Sequence, residues 1–404
     1  MPMRILFISN LYPPHTLGGY EILCGQVADE LKRRGHEIII LTSTHGVAHG
    51  ASSPLEPGVN RLLDLYVPFA TKVGVKRWKR RKTGRRNYQI AGKIIARERP
   101  DLVFVWSQLR LTLGAARAAQ HSGTPLAFTF NDEHIAGFLP APLRLSPRGV
   151  AAYVADRYLC REITLHGINI GNATCISECV KKNLSQRGVP VGDAAVIYQG
   201  IELDAFPVRV ECRTKPRRTR VLFVGQLHCD KGVHTLIDAA HVIATVLGPD
   251  AVRVSIAGSG SSMYEQRLRQ LAQHGGAQID FLGQVARCDL SRIYREHDIF
   301  VFPSIWAEPF GLTHLEAMAS GLPVVSTADG GHGEFLEDQV NALVFEKGNV
   351  SELAQHIITL SRSARLRRRL AANARATVEA RFSLRRYVTD LESFLYNALA
   401  GSGQ

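Results

Sequence analysis

Short runs of aliphatic and aromatic residues alternate along the chain with longer segments whose apolar positions recur every three to four residues. The first pattern predicts strands and the second amphipathic helices. In the first half, strands are expected at Arg4–Ser9, 37–42, 102–106, Leu126–Phe130 and 196–198. The helix after the first of them carries Ile22, Leu23, Val27, Ala28 and Leu31 on one face and stops at Gly35. The polar, proline-containing stretch at 211–218 interrupts the alternation and reads as a linker. Strands then resume at 221–224, Val252–Ala257, 279–282, Ile299–Phe302 and 323–326, and a helical pattern closes the chain from Phe382 to Leu399. Strand–helix alternation on this scale predicts parallel sheets with crossover helices. The expected division is a domain at 1–205, a linker at 206–219, a domain at 220–380 and a terminal helical piece at 381–404, which should pack back on the first domain.

Composition agrees with two globular α/β domains. The chain has 404 residues, 45% of them hydrophobic and 21% charged, and no apolar run long enough to span a bilayer. The apolar stretch after Met1 is too short for a signal peptide and reads as a first strand. Seven cysteines at scattered positions (24, 160, 175, 179, 212, 229 and 288) form neither a disulfide framework nor paired zinc spacing. Cytoplasmic residence is the expectation from these features.

The net charge of +13 is largely local, because residues 76–86 contribute eight basic and no acidic side chains and leave only +5 for the rest. A basic stretch with Trp78 interleaved suits anionic headgroups or an acidic acceptor, and a solvated helix face or loop suits it equally. Peripheral contact with an anionic membrane at the inner face is the expectation carried forward; nucleic acid is not expected as a partner.

In open parallel sheets, ligands sit beyond the carboxyl ends of the strands, and two such sheets leave a cleft for them. After the strand Ile299–Phe302 the chain reads Pro303-Ser304-Ile305-Trp306-Ala307-Glu308-Pro309-Phe310-Gly311-Leu312-Thr313-His314-Leu315-Glu316. A helix starting near Gly311 would aim the backbone N–H groups of Phe310, Gly311 and Leu312 at a phosphate. Glu308 and Glu316 are carboxylates that can accept hydrogen bonds from ligand hydroxyls. After the strand at 221–224, Gly225-Gln226-Leu227-His228-Cys229-Asp230-Lys231-Gly232 places Lys231 where it can neutralise a diphosphate. A ligand with both hydroxyls and a diphosphate, such as a nucleotide sugar, fits this set. On a blander reading, Glu316 only favours its helix start and Glu308 is an exposed loop residue.

These segments resemble the retaining glycosyltransferases of family 4, which have two Rossmann-like domains facing each other across a cleft, the GT-B fold. Glu308 to Glu316 matches the Glu-x7-Glu motif, and Gly225 to Gly232 resembles the family's Gly-Arg-Leu-x3-Lys-Gly segment. Tyr12-Pro13-Pro14 with Gly18-Gly19, Phe281-Leu282-Gly283-Gln284-Val285, Phe302-Pro303-Ser304, and Gly330-Gly331 followed by Glu334 extend the likeness over nearly the whole chain.

The resemblance implies that Glu308 holds donor-sugar hydroxyls, that Glu316 binds ribose, that Lys231 binds the diphosphate, and that backbone at Phe310, Gly311 and Leu312 approaches the sugar and phosphates. It implies close backbone approach at Gly18 and Gly19, and a nucleobase pocket at Gly258, Gly283 and Val285. Gln226 stands where the family commonly has an arginine beside its lysine. Where many members have histidine and aspartate, this chain reads Asn131-Asp132-Glu133-His134, so Asn131 or His134 is the implied sugar contact.

The implied reaction is retaining transfer of a hexose-like sugar, more readily from a UDP-sugar than a GDP-sugar, to a glycan, lipid-linked sugar or small metabolite. No cofactor is implied. Asp-x-Asp occurs nowhere in the sequence, so no metal is expected at the diphosphate. A nicotinamide-dependent oxidoreductase is excluded by Asn10-Leu11-Tyr12-Pro13-Pro14 where Gly-x-Gly-x-x-Gly would stand. A nucleotide-sugar epimerase or a sugar phosphorylase remains an alternative on the same fold.

Overall fold

The computed structural model describes residues 2–47, 57–68, 77–208 and 218–401. The chain forms two compact units, the first from residues 1–198 and 387–404 and the second from 199–386. The expected linker at 206–219 falls mostly on 209–217, which lie outside the described residues.

Unit one is built on β1 (Arg4–Ser9), β2 (Glu37–Ser43), β3 (Val59–Leu63), β4 (Leu102–Val105), β5 (Leu126–Phe130), β6 (Ala173–Cys175) and β7 (Ala195–Val196). They form one parallel sheet in the order β3-β2-β1-β4-β5-β6-β7. The order reverses beside β1, the place where doubly wound sheets open toward a ligand. Covered on both faces by crossover helices, the central strands are apolar at successive positions: Ile5, Leu6, Phe7 and Ile8 are all buried, as is every residue of β4. Phe7 and Phe104 meet edge to face with centroids 5.2 Å apart. The helix Leu384–Gly401 contributes its residues from Tyr387 onward to this unit. Glu392 on that helix ion-pairs with Arg34 at 2.7 Å and lies 2.8 Å from His36 Nε2.

Unit two is built on β8 (Thr219–Val224), β9 (Val252–Ala257), β10 (Gln278–Gly283), β11 (Ile299–Phe302), β12 (Val324–Ser326) and β13 (Ala342–Val344). Its parallel order is β10-β9-β8-β11-β12-β13, so β8 and β11 are the inner neighbours across the switch point. Phe223, Phe300 and Phe302 are buried there, and Phe223 stacks on Phe302 with centroids 5.6 Å apart.

From residue 77 the basic segment forms the first turns of a helix, Arg77–Glu98, in unit one, and Lys76 lies outside the described residues. Much of its charge is internally satisfied. Arg77 pairs with Asp156, Arg85 with Glu162 at 3.3 Å and Arg86 with Asp64 at 3.1 Å, while the Arg80 guanidinium packs between the rings of Tyr66 and Phe138. Trp78, Lys79 and Lys82 face solvent. The raw count of eight therefore overstates the charge available to a partner.

Candidate active site

The sequence-predicted residues of unit two converge at the carboxyl ends of its strands. Gly225 follows β8, Gly258 follows β9 and Gly283 ends β10. The Gly225 N–H donates to the Ala257 carbonyl at 3.0 Å and the Gly258 N–H to the Gly283 carbonyl at 2.7 Å. Gly258 has φ +143, and a Cβ there would overlap the Gly225 carbonyl, so only glycine lets these turns close together. Val285 lies half-buried just beyond, and the Gln226 carbonyl accepts the His228 N–H at 3.0 Å.

Lys231 ends a short 3-10 turn, Cys229–Lys231, and Gly232 with φ +65 then starts the helix Val233–Leu247. A Cβ on Gly232 would overlap the Pro303 carbonyl; its absence presses this turn against the segment that follows β11. The Asp230 carbonyl accepts the Ile305 N–H at 2.9 Å and lies 3.0 Å from Ser304 Oγ. Ser304 Oγ is also 2.7 Å from Glu308 Oε1.

Lys231 Nζ then donates to both carboxylate oxygens of Glu308, at 2.8 and 2.6 Å. Glu308 is 5% exposed, which removes the reading of it as an exposed loop residue. The ammonium also lies 5.7 Å from the Phe302 ring centroid and 5.5 Å from that of Trp306, a cation–π setting.

The helix Leu312–Ala319 begins at Gly311, its N-cap, and carries no side-chain cap. With no side chain serving its first turn, its start presents partial positive charge beside the Lys231–Glu308 pair. Glu316, one turn in, is buried and has two protein partners. Tyr294 Oη donates to Oε2 at 3.0 Å, and Arg287 ion-pairs with Oε1. Arg287 and Tyr294 carry no motif that sequence reading could have used. They lie on a different helix, Arg287–Glu296, and only the fold brings them to Glu316.

Beneath this surface, His314 and His332 are buried with ring centroids 5.1 Å apart, and His314 Nε2 is 2.9 Å from Ser326 Oγ. Burial pushes the His314 imidazole well below the ordinary histidine range, and the neighbouring His332 adds to the effect. Burial also lowers His332, against a smaller upward pull from Glu308. Both rings are therefore neutral near pH 7. Nothing local marks this pair beyond two histidines 18 positions apart.

The remaining predicted residues lie in unit one. Gly18 is the N-cap of the helix Gly19–Arg33 and donates its N–H to Glu21 Oε2 at 2.8 Å. Burial raises the Glu21 carboxyl. A small recess of about 30 Å³ at the ends of β1, β4 and β5 is lined by Asn10, Tyr20, Ser107, Asn131, Asp132 and His134, among others. Asn131 Nδ2 donates to the Trp106 carbonyl at 3.0 Å, whereas the His134 ring is mostly exposed, 3.8 Å from Asp132 Oδ2. Of the predicted residues of this unit, Asn131 and His134 line the recess, and Gly18 and Gly19 lead into Tyr20, which also lines it.

Two families match consecutive parts of the chain: the family described as Glycosyltransferase Family 4 over residues 17–205, and that described as Glycosyl transferases group 1 over residues 209–377. Among curated proteins, the chain is 25% identical to the uncharacterized glycosyltransferase MJ1607 of Methanocaldococcus jannaschii, over 94% of this chain and 95% of that protein. It is 36% identical to the D-inositol 3-phosphate glycosyltransferase of Mycobacterium sp. (strain KMS) over 45% of this chain, spanning 43% of that relative's length. Among solved structures, Anabaena HepE in complex with UDP-glucose superposes with a TM-score of 0.72 at 21% identity, covering 98% of this chain and all of the other.

Proposed function

The chain is a family-4-type glycosyltransferase with the GT-B fold, and from that premise we propose that it transfers a sugar from a UDP-sugar to an acceptor hydroxyl with retention of anomeric configuration. The observation that carries this reading is the Lys231–Glu308 pair beside the uncapped start of the helix Leu312–Ala319. A nucleotide diphosphate needs cationic and N–H donors that can take up the charge growing on its leaving phosphate. The sugar needs an acceptor of hydrogen bonds from its hydroxyls. Both stand here within one short stretch of structure.

In this proposal Lys231 and the helix start, with backbone at Phe310, Gly311 and Leu312, hold the diphosphate, while Glu308 orients the sugar. Glu316 takes ribose hydroxyls, held in place by Arg287 and Tyr294. Gly258, Gly283 and Val285 line the base, with Gln226 at the entry to the lysine turn. Front-face displacement needs no protein nucleophile: the departing phosphate oxygen takes the acceptor proton as the glycosidic bond forms. The chain's part is positional and electrostatic. Gly18, Gly19, Asn131 and His134 are proposed ligand contacts of unit one. The similarity to HepE, whose structure contains UDP-glucose, supports uridine over guanosine.

The acceptor class proposed is a glycan, a lipid-linked sugar or a small hydroxylated metabolite, and Trp78, Lys79 and Lys82 are proposed to bring unit one to anionic lipid. Transfer is proposed to need no metal, since Lys231 and the helix start supply the positive charge. The test is incubation of the full chain with a panel of UDP-sugars, with and without hydroxylated acceptors, in a chelator, followed by NMR of the anomeric proton of the product. Acceptor-dependent product of unchanged configuration supports the proposal. Inverted product, or an epimerised donor without acceptor, overturns it in favour of an inverting transferase or an epimerase.

A further inference from the structure

Among the described residues, one place brings three metal-ligating side chains of different kinds together: His228, Cys229 and Asp230, on the turn that leads into Lys231. His228 Nδ1 lies 3.0 Å from Asp230 Oδ2 and 3.8 Å from Cys229 Sγ, and Cys229 Sγ lies 3.4 Å from Asp230 Oδ1. A tetrahedral zinc ion with sulfur at about 2.3 Å and nitrogen and oxygen at about 2.0–2.1 Å has donor–donor edges of about 3.3–3.6 Å. One ligand atom from each residue lies within 4.8 Å of the others, and because the two short Asp230 contacts use different carboxylate oxygens, a rotation of that side chain would bring one oxygen onto such a tetrahedron with the ring nitrogen and the sulfur. The donor set points the same way, because one thiolate, one imidazole and one carboxylate suit zinc-class ions and disfavour magnesium or calcium.

We propose that His228, Cys229 and Asp230 bind one thiophilic divalent cation of the zinc class, through the imidazole Nδ1, the Cys229 thiolate and one Asp230 oxygen. Binding exchanges the thiol proton for the metal and releases that proton to solvent, so the two anionic ligands balance the charge of the ion. The fourth position is left to water. To take the metal, the ring nitrogen gives up the Asp230 N–H at 3.4 Å and exchanges its direct contact with Asp230 Oδ2 at 3.0 Å for one through the ion.

The backbone beneath is fixed independently of the side chains. The Asp230 carbonyl is held by Ile305 N–H at 2.9 Å, and a Cβ on Gly232 would overlap Pro303, so the turn is anchored to the segment after β11. His228 and Cys229 are exposed, which gives a metal an entry path. Cys229 and Cys288 are the exposed thiols among the described residues, and Cys288 has no such neighbours in that cluster.

The inference goes beyond the transferase reading and does not require it: its readouts use neither donor nor acceptor, and transfer that survives a chelator is compatible with it. The full-length protein is titrated with Co²⁺ and with Zn²⁺ against a chromophoric chelator. The expected result is one equivalent bound, with a thiolate-to-cobalt charge-transfer band and the intense visible bands of a four-coordinate ion. Cys229→Ser should abolish the charge-transfer band, and Cys229→Ser and His228→Ala should each weaken zinc binding about 10- to 100-fold or more. Cys288→Ser should retain both. In the unmutated protein, zinc should protect Cys229 from alkylation, read by mass spectrometry of the peptide. Equal zinc affinity in Cys229→Ser, a cobalt spectrum without thiolate character, or protection at another cysteine would each overturn the proposal.

Discussion

Lys231 Nζ bridges the two oxygens of the buried Glu308 carboxylate, and each of these residues is the other's charge partner before any ligand arrives. The pair explains how a carboxylate 5% exposed stays folded inside a turn. It also sets a condition on binding: a ligand that uses both groups must take over the hydrogen bonds they now give each other.

The two halves of that pair should fail differently. Glu308→Gln keeps the size and one acceptor but loses the charge that orients the sugar, so kcat should fall about 100-fold while UDP still binds. Lys231→Ala leaves a buried carboxylate without its cation and should cost about 3–5 kcal/mol of stability, besides raising KM and lowering kcat. Steady-state kinetics paired with urea unfolding separates the two effects. Near-normal kinetics in both variants, with folding established, would remove this site from the reaction.

Glu316 is predicted to act on binding alone. Glu316→Ala should raise the donor KM by about 1–3 kcal/mol equivalent, with kcat little changed, because ribose hydroxyls do not change during the reaction. Arg287→Ala should move KM in the same direction, since it frees a carboxylate that the ribose must find in place, and Tyr294→Phe should do so less. A fall in kcat at unchanged KM for Arg287→Ala would contradict the positioning role.

Stability should fall on mild acidification. His314 and His332 are held neutral in the folded protein by burial, with pKa values below the ordinary 6.5, whereas the unfolded chain takes up a proton on each below that pH. Their contribution is therefore fully present above pH 6.5 and is lost as pH falls toward the folded-state values, at up to about 1.4 kcal/mol per pH unit for each ring. Urea midpoints at pH 7.5 and 5.5 measure the loss. The difference should shrink in His332→Asn, and an unchanged difference would assign the acid sensitivity to other groups.

The basic helix should divide its labour. Replacing Lys79 and Lys82 with glutamine should weaken binding to anionic vesicles at low salt while leaving thermal stability nearly unchanged. Replacing Arg77, whose partner Asp156 is buried, should instead lower Tm with less effect on vesicle binding. Vesicle co-sedimentation and thermal melts of the same variants give the two readouts, and indifference of the unmutated protein to anionic vesicles would remove the membrane contact.

Sequence pattern exposed most of the fold because parallel strands buried on both faces are long apolar runs, and Arg4–Ser9, Leu126–Phe130, Val252–Ala257 and Ile299–Phe302 have the bounds expected of them. The strands that escaped notice are Val59–Leu63, near the sheet edge with a shifted register, and the three-residue Ala173–Cys175 and Ala342–Val344, too short to show any period. At the site, residues near their own strand ends were legible because the motif is local. Arg287, Tyr294 and the His314–His332 pair were not, because their significance lies in contacts across elements. The charge of residues 76–86 was legible as a number but not as an effect, since Asp64, Asp156 and Glu162 come from elsewhere in the fold.

Unit one is assembled from both ends of the chain, while unit two is one uninterrupted stretch lying between them. On the ribosome, this inverts the usual order of completion. The second unit has all its residues as soon as position 386 clears the exit tunnel, but the first still lacks Tyr387, Leu391, Glu392 and Leu395. The nascent chain must therefore hold an unfinished amino-terminal sheet, with Arg34 and His36 awaiting their carboxylate, until the residues from Tyr387 onward have emerged as well.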